Sequence, residues 1–244
     1  MIKIALTLLF AITMTSGCRA DEIKVGFGDH IPPYAIPESA SGIEVQLLRE
    51  ALAYRGHTIR PLFYPIRRLP VAFKNREIDI TLRDAGTDLR PYGGLYSVPA
   101  IVYDNVLITL TSRHITIHTP DDLKGLRVIA FPGALARFPD WLEGVKQSGL
   151  YTEETNQELQ VATLQAGHYD VVLSDRRIFH YFQSKLRAQS QNLDPVDEQF
   201  FAVTSDTTYR AIFRDAKLKE DFEAGLKRLK ETGRYSKIID GYIH

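Results

Sequence analysis

The side chains able to do chemistry in this chain are mostly arginines and aspartates. Arg83-Asp84 and Asp88-Leu89-Arg90 sit close together in one half, and Asp170 and Asp175 close together in the other. A planar guanidinium inside a closed cleft can give two parallel charge-assisted hydrogen bonds to a carboxylate. On an open surface the same Arg90 would only pair with its neighbour Asp88. Arg83 is open in a similar way, either to an anionic group of a ligand or to Asp84. Asp175 stands where a strand gives way to a helix, a position from which an aspartate caps the first turn. Asp121-Asp122 before Leu123 reads as another helix cap. Arg67 and Arg68 are adjacent and would leave a helix on different faces, which argues against a joint role. The histidines at 30, 57, 114, 118, 168 and 180 have no metal-ligand spacing, so no metal or other cofactor is expected. Trp141, with Phe138 and Pro139, is either packing or a cleft wall.

The elements that must position these groups come in two similar sets. Val71 to Leu82 and Val161 to Leu173 each run as an apolar helical stretch, a tight turn, an aspartate and a short apolar strand, about ninety residues apart. An opening strand precedes each, at Ile23 to Gly28 and at Leu126 to Gly133. The pattern predicts an α/β protein of two similar lobes. In the first, Ile43, Leu47, Leu48, Ala51 and Leu52 mark a helix that Ser39 or Ser41 can cap and Gly56 ends. Before it, the proline-rich His30 to Pro37 is a structured loop. Strands are expected at Thr58 to Tyr64 and Asp79 to Leu82, with a helix at Ile66 to Asn75. Thr208 to Arg214 reads as a strand, followed by helices at Asp215 to Lys230 and Gly233 to Tyr242, all returning to the first lobe. Crossings between lobes fall in the β-rich run Asp104 to Thr111 and near Phe200 to Thr204. Two crossings make a hinge of two segments, which favours closure around a ligand. The expected division is 1–20 as a signal peptide, 21–107 plus 203–244 as lobe 1, and 108–202 as lobe 2.

Lys3, the apolar run Ile4 to Met14 and small residues around Ser16, Gly17 and Ala20 make a secretory signal, too short for a lasting membrane anchor. Two processing readings stay open. Cys18-Arg19-Ala20 allows cleavage before Asp21, while Thr15-Ser16-Gly17-Cys18 is similar to a lipobox in which Cys18 is lipidated. Cys18 is the only cysteine, so after plain cleavage no disulfide chemistry remains. The 30 basic and 30 acidic residues cancel, and no basic run is long enough to track a phosphate backbone, so nucleic acid is not an expected partner.

From about residue 22 to 244 the chain resembles the family 3 periplasmic solute-binding proteins, bilobal proteins of the type II fold whose best-known members bind polar amino acids. The resemblance is carried by Pro33-Tyr34, Gly42-Ile43-Glu44-Val45, the Asp79 strand, Thr87-Asp88-Leu89-Arg90, Tyr96-Ser97-Val98-Pro99, Leu123-Lys124-Gly125, Asp170 with Asp175, and Gly233 to Ile238. It implies that Arg90, with Thr87, holds a ligand carboxylate. It implies that Asp175 faces the ligand's ammonium from the other lobe, and that Ile31, Tyr34, Ala85, Gly133 and Ala134 line the site. Three departures concern the substrate. Gly133-Ala134-Leu135 lacks the hydroxyl usual after the second lobe's first strand, though its amides remain. Arg83-Asp84-Ala85-Gly86 is one residue shorter than usual and places Arg83 among the candidate ligand contacts. Ile31 stands where an aromatic often stacks. The implied function is capture of a small carboxylate-bearing solute, an amino acid or analogue, by a periplasmic monomer serving an ABC permease. A sensory protein presenting the ligand to a membrane receptor is the alternative. The cyclohexadienyl dehydratases share the resemblance, but Ile178 stands where they carry a glutamate acid, so no enzyme activity is expected.

Overall fold

The computed structural model describes residues 22–189, 192–199 and 208–242. The signal segment with Cys18, and the expected crossing near Phe200 to Thr204, lie outside the described residues.

The first lobe is built from β1 (Ile23–Gly28), α1 (Ile43–Ala53), β2 (Ile59–Tyr64), α2 (Leu69–Lys74), β3 (Ile80–Thr81) and β4 (Leu95–Val102). The chain then enters the second lobe through β5 (Asn105–Leu110), β6 (Val128–Ala130), α3 (Ala134–Arg137), α4 (Pro139–Gln147), β7 (Tyr151–Glu153), α5 (Gln157–Gln165), β8 (Val171–Asp175), α6 (Arg176–Ala188) and β9 (Val196–Gln199). It returns with β10 (Thr208–Phe213), α7 (Ala216–Glu231) and α8 (Arg234–Asp240). The two sheets run β2-β1-β3-β10-β4 and β7-β6-β8-β5-β9. In each, three parallel strands are followed by a fourth that runs antiparallel to both its neighbours. The fourth strand of each sheet arrives from the other lobe. The architecture is therefore a bilobal α/β fold with two chain crossings. The first crossing falls at Tyr103-Asp104, and the whole of β5 belongs to the second sheet, so a division at 107/108 would cut that strand.

The sequence repeat is a repeat of structure. Asp79 exchanges bonds with Lys24: its amide donates to the Lys24 carbonyl at 2.8 Å, and its carboxylate accepts from the Lys24 amide at 2.9 Å. Asp170 does the same with Arg127, both bonds at 2.9 Å. Each aspartate thus clamps the start of its β3-type strand to its lobe's opening strand. Asp170 adds two bonds from the Arg127 side chain and one from Arg113 at 2.6 Å.

Helix α1 is capped without Ser39 or Ser41, whose hydroxyls bond each other at 2.6 Å. Gly42 is its N-cap at φ 121°, where a Cβ would lie 2.4 Å from the Tyr34 carbonyl. The amides of Ile43 and Glu44 donate to the carbonyls of Pro33 and Tyr34, each at 2.9 Å. Backbone carbonyls of the proline loop replace a side-chain cap, and this fastens Tyr34 to the start of α1. Elsewhere Asp122 accepts from the amides of His118 and Thr119, Arg68 forks onto Glu77, and Trp141 and Phe138 are buried in the second lobe's own core. The core of the first lobe packs α1 and α7 together across β1 and β10.

Candidate functional site

The two lobes meet at a buried polar seam. Tyr34, 1% exposed, stacks on Tyr103 with ring centres 3.9 Å apart, and its hydroxyl donates to Asp175 Oδ2 at 3.0 Å. Asp175 ends β8 and caps α6. Its Oδ1 accepts from the amides of Arg177 and Ile178 at 2.9 and 3.1 Å, and its Oδ2 also accepts from the Asp104 amide at 2.7 Å. The side chain of Arg177 reaches the Tyr34 hydroxyl at 3.3 Å. Burial pushes the Asp175 carboxyl up to about 6, and the bonds it accepts offset only part of that rise. Burial, joined by the Asp175 charge, also raises the Tyr34 phenol. The capping role read from the sequence is present, and a tyrosine contact across the lobes is added to it.

Beside this contact lies Arg83, 6% exposed, on the short stretch after β3. Its partner is Glu44, 0% exposed, at 2.7 Å. Asp84 instead accepts from the Gly86 amide and the Tyr96 hydroxyl, so the expected pairing of Arg83 with Asp84 is not formed. Arg83 also donates to the Tyr103 hydroxyl, which in turn donates to Glu44 at 2.9 Å. The Arg83 Cζ stands 4.5 Å from the Tyr103 ring centre and 4.0 Å from that of Tyr209, in the notch between two rings inclined at 61°. Burial works against this charge, but Glu44 and the two tyrosines more than offset it, holding the guanidinium protonated. From the second lobe Arg137 donates to the Tyr209 hydroxyl at 3.0 Å and lies over the same ring.

The other expected contacts lie elsewhere. Arg90, its side chain 70% exposed, pairs with Asp88 at 3.4 Å and stands 4.7 Å over the Tyr96 ring. It borders a hollow of the first lobe that also takes in Gly94, Arg210 and Lys219. The expected meeting of Arg90 with Asp175 across a cleft is not among these contacts. Thr87 is half-buried, its amide closing a turn onto the Asp84 carbonyl, and Ala85 is exposed at φ 49°. Ile31 is buried in an apolar cluster that runs through both lobes. The amides of Gly133 and Leu135 donate to the carboxylate of Glu153 at 2.7 and 3.2 Å, while that of Ala134 goes to the Phe131 carbonyl. An exposed acidic side chain of this chain thus takes the amides that the resemblance assigns to a ligand.

Sequence reasoning did not single out Glu44, Tyr103, Tyr209, Arg137 or Arg177 as parts of one site. One signal was present. Glu44 falls on the same helical stripe as Leu48 and Ala51, and a charge on a core-facing stripe must have a buried partner.

No protein-family model matches the chain, and no curated protein matches it. Among solved structures it is similar to a mutant of ArgBP from T. maritima, at 21% identity over 91% of this chain and 94% of that one, TM-score 0.68. It is similar to the GluR0 ligand-binding core in complex with L-glutamate, at 15% identity over 93% and 100%, TM-score 0.72. A third is a histidine kinase sensor domain with similarity to periplasmic binding proteins, at 19% identity over 91% and 96%, TM-score 0.71. The fold is the bilobal periplasmic-binding-protein fold. At these identities the likeness establishes the fold alone.

Proposed function

We propose that this chain is an extracytoplasmic solute-binding protein. It captures a small carboxylate-bearing solute, an amino acid or close analogue, between its lobes and presents it to an ABC permease. The observation that carries this reading is the seam itself. Tyr34, Arg83 and Glu44 of the first lobe and Asp175, Arg177 and Arg137 of the second gather around the crossing at Tyr103-Asp104 and the start of β10, and groups of this kind recognise a zwitterion. Several structural neighbours are amino-acid-binding proteins, which supports a binding role over an enzymatic one. Ile178, where a dehydratase acid would stand, is buried among apolar side chains. Closure of the lobes is the readout, since a ligand that binds one arrangement better shifts the population toward it.

Within this reading the solute's carboxylate is held by an arginine of the first lobe, either Arg90, as the resemblance implies, or Arg83. Thermal unfolding of residues 21–244 against amino acids, dicarboxylates and aromatic acids tests the function. A ligand at a hundred times its Kd adds about 2.7 kcal/mol. Loss of that stabilisation in Arg90→Ala or in Arg83→Gln assigns the residue, and silence of the intact protein across the panel overturns the reading.

The sensor-domain neighbour supports a second reading, in which the closed form is read by a membrane receptor kinase. Copurification with a permease or with a kinase separates the two.

A further inference from the structure

We propose that Glu44, Tyr103 and Tyr209 form a guanidinium-binding cage that the chain fills in cis with Arg83, so that the closed arrangement of the lobes is held by an internal ligand. The proposal does not rest on solute capture. It would stand if the protein bound no solute at all.

The cage has the three things a guanidinium uses. Two aromatic rings lie 4.5 and 4.0 Å from Cζ and offer their faces to a delocalised cation. A carboxylate stands 2.7 Å away on a residue with no solvent exposure. A phenol bridges the two, bonded to both. A planar guanidinium can meet the rings with its face while Nη2 donates to both the carboxylate and the phenol, whereas an ammonium, a compact point charge, meets fewer of these at once.

The cage is also incomplete as a static ion pair. Glu44 Oε2 and Arg83 Nε are buried with no hydrogen-bond partner among the described residues. A buried pair with unused valences recovers little of its desolvation cost. That is an expensive way merely to fill a core, and an understandable one if the side chain has to enter and leave.

The walls come from the hinge. Tyr103 lies between β4 and β5, at the first crossing, and Tyr209 is the second residue of β10, at the return of the chain. Each wall is in turn held by the second lobe. Arg137 bonds Tyr209, while Tyr34, stacked on Tyr103, bonds Asp175. Rotation of the lobes would separate these contacts and open the notch, and a solute carboxylate that recruits Arg83 must first draw it out.

The test is chemical complementation. Arg83→Ala removes the group, and N-ethylguanidinium restores the lost atoms. At a ten-fold excess over its Kd it is expected to raise the melting temperature of Arg83→Ala by roughly 3–6 °C. Ethylammonium is expected to do less, and the wild type and the double variant Arg83→Ala/Glu44→Gln to show no such gain. Equal responses to both cations, a response undiminished in the double variant, or none in a folded Arg83→Ala would each overturn the proposal. Should Arg83→Ala fail to fold, Arg83→Lys keeps the charge without the planar fork. A larger radius of gyration than wild type by small-angle scattering supports the internal-ligand reading, and an unchanged one overturns it.

Discussion

The hydroxyl of Tyr34 donates to Asp175 Oδ2 at 3.0 Å, joining a proline-rich loop of the first lobe to the capped start of α6 in the second. Both ends are set by backbone. The carbonyls of Pro33 and Tyr34 receive the first amides of α1, and Asp175 receives the first amides of α6. Two helix starts, one from each lobe, are thereby brought against each other through one phenol.

Tyr34→Phe removes this bond and keeps the ring on Tyr103. Asp175 retains its three amide donors, so the loss is one bond to a charged acceptor and the longer one from Arg177 at 3.3 Å, about 1.5–3 kcal/mol. Urea unfolding measures it, and small-angle scattering of the same variant should show a more open particle. A variant as stable and compact as wild type would show that the bond does not hold the lobes.

The raised Asp175 carboxyl makes a pH prediction. Its value in the folded protein, about 6, lies above the ordinary 3.8, so its favourable contribution is complete below 3.8 and lost as pH rises through 6. Between pH 5 and 7 the wild type should lose about 1 kcal/mol through this group. Tyr34, Arg177 and the Asp104 amide face it. Asp175→Asn, which can still cap, should flatten the profile over that window. Stability curves at several pH values decide it, and an unchanged slope would mean the carboxyl does not titrate there.

The two strand-start aspartates should differ in what they contribute. Asp170→Asn strips a buried carboxylate from Arg127 and Arg113 and is expected to cost about 3 kcal/mol. Asp79→Asn keeps an oxygen for the Lys24 amide at a half-buried site, giving up only the charge of that acceptor, and should cost about 1 kcal/mol. The Arg127 side chain, then burial working against it, sets the Asp170 carboxyl below its ordinary value. The Asp170 contribution is therefore present above 3.8 and lost on acidification. Denaturant midpoints of the two variants at pH 7 give the comparison, and equal losses would refute the asymmetry.

Gly225 of α7 lies against α1, and a Cβ there would come 1.9 Å from the Ala51 carbonyl oxygen. Gly225→Ala should push the two helices apart at a cost of about 2–4 kcal/mol. Gly144→Ala in α4 meets nothing within 4 Å and should stabilise by roughly 0.5–1 kcal/mol through helix propensity. Calorimetry of the pair reads both signs, and a harmless Gly225→Ala would mean the helices slide apart easily.

The sequence by itself determined the two-lobe plan, because that plan is written in local periodicity. The repeat around Asp79 and Asp170, the apolar stripe of α1 and the cap at Asp175 each depend on residues within a few positions of one another. Only the tertiary structure decided which charge meets which. Glu44 and Arg83 are 39 residues apart, Tyr34 and Asp175 141 apart, and Arg137 and Tyr209 72 apart. Nothing in a short window records such pairings. For the same reason Arg83 and Arg90, alike as residues and seven positions apart, end in opposite surroundings. One is drawn into the seam by the buried Glu44. The other, beside Asp88 at the surface, keeps its hydration, and water outbids a buried partner unless the fold supplies one of opposite charge.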